Sequence, residues 1–193
     1  HGVEPATKLM DWGDSRAQGA VPVILVFGNI APYKGVDLLI EALRTATFPF
    51  YLLIAGVCPD GIYRNKLQFA INQHPFKSGI EWRDRFVEES EMEQLFKSAD
   101  LLALPYRHID QSGVLFQALR FGVPVLATRV GQFSEYVSAD IGELVQPENV
   151  ADISAALNRW SARRQYFSRV AIREFGRRFE WTVTVLVLNE AYR

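Results

Sequence analysis

The stretch DLLALPYRHIDQSGVLFQALRFGVPVLAT constrains this chain more than any other. Its apolar run Leu101 to Pro105 reads as a buried strand, and a polar loop follows. A helix opens on Gly113, and the strand-like Pro124 to Thr128 comes after it. A helix that starts just beyond a strand end leaves its first N–H groups without partners, facing whatever lies over the sheet edge. Those groups and the helix dipole both favour an anion. Glycine at the entry lets the backbone approach a ligand with no Cβ in the way. The same letters also fit an ordinary helix with Ser112 as its N-cap, and the local signal alone favours that plainer reading.

Around this unit, apolar runs alternate with amphipathic stretches, the pattern of a parallel α/β sheet. Strands are predicted at Val21 to Gly28, Phe50 to Gly56, Ile80 to Val87, Leu101 to Pro105, Val123 to Thr128 and Gly142 to Gln146. Helices are predicted at Lys34 to Arg44, Tyr63 to Gln73, Glu89 to Ala99 and Gly113 to Phe121, with a helical tail from Val150. Several strands are Val-, Ile- and Leu-rich without strict alternation, as expected when helices cover both faces. Gly2 to Ala20 sustains no apolar period and reads as a lead-in. Trp181 to Leu188 (WTVTVLVL) is β-branched and alternating, so its own propensity is for strand.

The length of 193 residues suits one domain. A net charge of −1 gives no global reason to bind nucleic acid. The single cysteine, Cys58, excludes an intramolecular disulfide and fits a reducing, cytoplasmic compartment. No apolar run approaches the roughly 20 residues that cross a bilayer.

The first strand empties into GNIAPYKG, Gly28 to Gly35. Neither a GxGxxG nor a GxxxxGK[ST] follows it, which argues against an NAD-type fingerprint and a Walker ATPase. What remains is Gly28 at the strand end and Lys34 at the mouth of the next helix. Lys34 either reaches an anion over the strand C-termini or is a solvated surface lysine. Asp110 either bonds a sugar hydroxyl or organises its loop as an Asx turn, and the local pattern favours the turn. Arg83, Arg85 and Arg107 sit near strand ends and either make the mouth basic or are simply solvated. Glu135 has no assigned role. The histidines lack metal-ligand spacing, so no metal is expected. The first strand end lacks the acidic cluster of a signalling receiver.

Taken in order, FGNIAPYKGVDLLIEAL, YLLIAG, SADLLALPY, SGVLFQALRFGVPVLAT, GELVQP and a tail ending FEW…EAYR closely resemble one family. They are similar to the C-terminal, donor-binding half of retaining GT-B glycosyltransferases of the group 1 type, in its QSGV variant, over about Val21 to Arg193. The resemblance implies a Rossmann-like doubly wound parallel sheet of about six strands, with a C-terminal helical tail, forming one half of a GT-B fold. It implies a nucleotide-sugar donor as substrate, no cofactor or metal, and hexosyl transfer with retention by front-face substitution. The acceptor domain would precede residues 1–20, a junction, and would carry any peripheral membrane contact. Transfer by residues 21–193 alone is not expected.

By matching position, Lys34 would hold the diphosphate and aid departure of the leaving group, with Asp110 as the second candidate catalytic residue. Gly28, Gln111, Ser112, Gly113 and Val114 would line the phosphate site, and Gln117 would stand at the ribose. Val87, in Arg85-Phe86-Val87, falls in the nucleobase-contacting stretch. The family's tail helix replaces the strand expectation for Trp181 to Leu188. Three positions depart from the pattern: Asn29 and Ala31 stand where arginines are common, and Gln117 stands where the ribose-binding glutamate is usual. These departures keep a second reading open, a non-catalytic nucleotide-sugar binding or regulatory module.

Overall fold

The computed structural model describes residues 21–110 and 112–179. The expectations for residues 1–20, Gln111 and Trp181 to Leu188 lie outside them. Six parallel strands form one sheet in the order β3-β2-β1-β4-β5-β6. They are β1 (Val23–Phe27), β2 (Tyr51–Ala55), β3 (Ile80–Arg83), β4 (Leu101–Leu104), β5 (Val125–Thr128) and β6 (Gly142–Val145). The described helices are α1 (Val36–Leu43), α2 (Gly61–Asn72), α3 (Glu89–Ser98), α4 (Gly113–Phe121), the short α5 (Phe133–Tyr136), α6 (Val150–Arg163) and α7 (Arg169–Arg177). This is a Rossmann-like α/β fold, as the alternation of apolar runs predicts.

The period of two along each strand explains the unbroken apolar runs. Ile24 and Val26 of β1 point to one face, with Leu52 and Ile54 of β2, where α1, α2 and α6 cover them. Val23 and Leu25 point to the other, with Leu53, Leu102 and Leu104, under α3 and α4. In register, Ile24 stands opposite both Leu52 and Leu101, so β1 is the centre of the sheet. Helix α7 packs outside α4 through Leu119 and Ile172.

Element ends differ from the sequence reading where side chains recruit the backbone. β3 stops at Arg83, opposite Ala55, and not at Val87. Arg85 N–H turns back to the Arg83 carbonyl at 2.9 Å. The Asp84 carboxylate leaves the sheet edge to accept from Cys58 N–H at 2.9 Å and to pair with Arg64 at 2.6 Å. Asp60 starts α2 two residues early, accepting from Ile62 and Tyr63 N–H groups at 2.9 and 3.0 Å.

The largest departure precedes α1. Lys34 is not helical in the α sense but ends a 3₁₀ turn, Pro32–Lys34. Gly35 follows with φ 64°, and α1 begins at Val36. At Gly35 the backbone passes so close to the end of β4 that a Cβ would stand 2.0 Å from the Pro105 carbonyl oxygen. Positive φ and this approach both require glycine. Gly35→Ala is therefore expected to lower stability by about 2–4 kcal/mol in urea denaturation. Gly61→Ala is the control: a Cβ there meets nothing within 4 Å, and alanine in the first turn of α2 should cost nothing.

Candidate functional site

Between β1 and β4 the chain reverses its direction of travel across the sheet. The segment leaving β1 crosses to α1 on one face, and the segment leaving β4 crosses to α4 on the other. Their C-terminal ends diverge and open a crevice, where ligands of doubly wound sheets bind.

The β1 wall is built from Gly28 and Lys34. Gly28 has φ 88° and ties its N–H to the Ala55 carbonyl at 3.0 Å. Lys34 does not extend into solvent; it is 4% exposed and folds back over the end of β1. Its Nζ donates to the Phe27 carbonyl at 2.8 Å and lies 5.6 Å from the Tyr106 ring centroid. A Cβ on Gly28 would come within 3.1 Å of that Nζ and 3.7 Å of Val114 Cγ2. Gly28, Lys34 and Val114 therefore converge, from segments far apart in sequence. Burial lowers the Lys34 pKa from 10.5 to about 8 by desolvating the ammonium.

The β4 wall runs from Tyr106, whose hydroxyl burial pushes well above its usual range, to the start of α4. Ser112 is the N-cap residue in extended conformation, but its side chain makes no capping hydrogen bond. The plain capping reading of Ser112 is thus set aside, and among the described residues no side-chain cap of the first turn of α4 is seen. A Cβ on Gly113 would meet nothing within 4 Å, so the helix entry opens onto free space. One turn on, Gln117 Oε1 is shielded from solvent and has no hydrogen-bond partner.

Asp110 is exposed, and its carboxylate forms no hydrogen bond among the described residues; the Asx turn favoured by the local pattern does not form. It lines a pocket of about 300 Å³ with Arg107, His108, Ile109, Val130 and Gly131. Val87 is half-buried against the α3 side of the core, beside Phe86, which is 71% exposed. Glu135 is exposed on α5.

The arginines near the strand ends are each paired with a carboxylate, although Arg85 stays exposed. Arg83 pairs with Glu81 at 2.6 Å, Arg85 with Glu91 at 2.6 Å, and Arg107 with Asp37 at 2.9 Å. Sequence reasoning missed Asp37 and Tyr63, which hold Arg107 in place. The one local signal was an acidic residue in the first turn of α1, which reads as an ordinary complement to the helix dipole. Among the described residues no group of three or more His, Cys, Asp or Glu could hold a metal ion.

Residues 13–179 match the family described as glycosyl transferases group 1. The chain belongs to this family. A D-inositol 3-phosphate glycosyltransferase from Geodermatophilus obscurus is 30% identical over 195 residues, covering 91% of this chain and 41% of the relative. A GDP-mannose:glycolipid 4-beta-D-mannosyltransferase from Xanthomonas campestris pv. campestris is 34% identical over 120 residues, covering 61% of this chain and 34% of the relative. The crystal structure of Anabaena Alr3699/HepE in complex with UDP and glucose superposes with TM-score 0.76 at 20% identity, covering 89% of this chain and 48% of that one. The group 1 chain described here thus spans less than half the length of these relatives, and its sheet has the fold of one half of a GT-B glycosyltransferase.

For this group 1 domain the buried ammonium is a destabilising feature. A pKa lowered from 10.5 to about 8 corresponds to roughly 3 kcal/mol of disfavoured charge at neutral pH. The unfolded chain binds the extra proton between these values, so stability should rise with pH from about 8 to 10.5. Lys34→Met is expected to stabilise the domain at pH 7 by roughly 1–2 kcal/mol, the Phe27 carbonyl losing its donor. It should also remove the rise of stability in that alkaline window. Urea denaturation at pH 7 and 9.5 tests both; a flat wild-type profile would show that the ammonium is well solvated.

Proposed function

We propose that this chain is the donor-binding half of a retaining hexosyltransferase, whose acceptor half lies elsewhere in the protein. The observation that carries the reading is the convergence of Gly28, Lys34 and Val114 over the crevice, beside a helix entry with no side-chain cap. An ammonium and a helix N-terminus without a serine cap, brought together at one crevice, suit a diphosphate better than any neutral ligand.

The hard step of such a transfer is departure of the nucleoside diphosphate from the anomeric carbon. Charge that develops on the leaving oxygen needs donors already in position. Protonated Lys34 supplies a cation, and the α4 entry at Ser112, Gly113 and Val114 supplies N–H groups, so this reading calls for no metal or cofactor. Desolvation makes the Lys34 charge costly without a ligand, and a bound diphosphate relieves that cost by pairing with it. The Asp110 carboxylate, with no hydrogen bond among the described residues, would hold a sugar hydroxyl from the same loop. The unpartnered Gln117 Oε1 suits a ribose hydroxyl, and Val87 stands beside the base. The described residues offer no clear nucleophile toward the sugar, which favours substitution on the face the leaving group vacates, with retention. The relatives' names, and UDP in the Anabaena structure, support a nucleotide-sugar donor.

Calorimetric titration with UDP, GDP and ADP tests this, alongside an assay for donor hydrolysis and transfer. The chain of residues 1–193 is expected to bind at least one of the three and to transfer no sugar; robust transfer to a simple acceptor would overturn the half-enzyme reading. Gly113→Val should abolish binding while leaving the melting temperature near the wild-type value, because the fold has room for the side chain there. Normal binding by that variant would reduce the Gly113 turn to a helix start.

A further inference from the structure

Arg107, the first residue after Tyr106 on the β4 side of the crevice, turns most of its donors onto the opposite wall. Its N–H donates to the Tyr33 carbonyl at 2.7 Å, and its guanidinium donates to the Pro32 carbonyl. Two further donors grip the Asp37 carboxylate at 3.1 and 2.9 Å, and Nε lies 3.4 Å from Glu148. Asp37 is mostly buried in the first turn of α1, where Tyr63 and Lys66 of α2 also donate to it at 2.8 and 2.7 Å. Burial pushes the Asp37 carboxyl up, but the hydrogen bonds from Arg107, Lys66 and Tyr63 outweigh it and hold the pKa at about 2. The pair is therefore charged at any ordinary pH.

These bonds join the two walls of the crevice. Pro32, Tyr33 and Asp37 flank Lys34 on the β1 wall, and Arg107 begins the loop that leads to the α4 entry. A guanidinium in this position would ordinarily be assigned to phosphate. Here its fork is filled by a carboxylate from the opposite wall, and the two charges cancel. We propose that Arg107 is a positioning residue: through Asp37 it sets the spacing between the Lys34 turn and the α4 entry, and it does not bind the donor itself. The inference rests on the reading that a diphosphate lies between these walls.

The sign of one substitution separates this role from direct binding. Removing the negative charge of Asp37 should strengthen binding of an anion on electrostatic grounds alone. If Asp37 and Arg107 set the spacing, the same change weakens it, because misplaced donors lose their geometry. Arg107→Lys keeps the charge but loses the two-pronged fork. Asp37→Asn and Arg107→Lys are each expected to weaken binding of the nucleoside diphosphate that the wild type prefers, among UDP, GDP and ADP, by about tenfold. The double variant should lose little more, since both changes cut one link. Affinity for the corresponding nucleoside without phosphates should stay at the wild-type value, which loss of structure would not allow.

Calorimetry on the 193-residue chain, with thermal melts as the check on folding, reads all of these. Asp37→Glu, which keeps the charge and moves the carboxylate by one methylene, is the second variant should Asp37→Asn fail to fold; it is expected to lose diphosphate affinity in the same direction. Unchanged or stronger diphosphate binding in folded Asp37 variants would overturn the positioning role, as would additive losses in the double variant. Equal losses for nucleoside and diphosphate would overturn it too. No binding of any of the three diphosphates by the wild type would instead overturn the donor-site reading beneath it.

Discussion

A sheet whose strands are apolar on both faces must be covered on both faces, and everything at the site of this protein depends on that requirement. Val23 and Leu25 of β1 need one layer of helices, and Ile24 and Val26 need another. Short connections satisfy this only if the chain winds outward from the middle of the sheet twice, in opposite directions. The two windings start at β1 and at β4, which lie side by side. The peptide groups beyond these two strand ends are therefore pulled apart, and the crevice between them follows from the way the core is covered.

What fills the crevice edge is costly to the fold. The Lys34 ammonium sits almost out of water, held by one carbonyl and the face of one ring. Gly28 and Gly35 adopt positive φ to let the turn pass, and at Gly35 the neighbouring carbonyl leaves no room for a side chain. Strain and a desolvated charge, gathered at one strand end, are typical of sites prepared for a ligand of opposite charge. The guanidinium groups nearby go to internal carboxylates, so positive charge at this wall is concentrated on Lys34.

The group 1 family, the GT-B half-fold and the crevice fit together as parts of one device. A donor-binding half must hold a leaving group firmly enough to stabilise its departure, and rigidly enough that the donors need no rearrangement. Cross-wall ion pairing through Asp37 and Arg107 suits the second demand, and the α4 entry with Lys34 suits the first.

The order of strands and helices was legible in the sequence because a period of two against a period of about 3.6 is a local property of the chain. The α4 start at Gly113 and the α6 start at Val150 were legible for the same reason. The ordered motifs also sufficed to indicate the family. Tertiary structure alone decided the state of each charged side chain. In its own segment Lys34 reads either as an anion ligand or as a solvated surface lysine, and only the fold shows it turned back onto the Phe27 carbonyl beside the Tyr106 ring. Arg107 and Asp37 lie 70 residues apart, and nothing in either neighbourhood announces the other. β3 ended early because Asp84 found partners in Cys58 and Arg64, again across the sheet edge. Backbone periodicity is written locally, whereas the partner of a buried charge is whichever group the fold brings within about 3 Å, and that is settled only when the sheet is assembled.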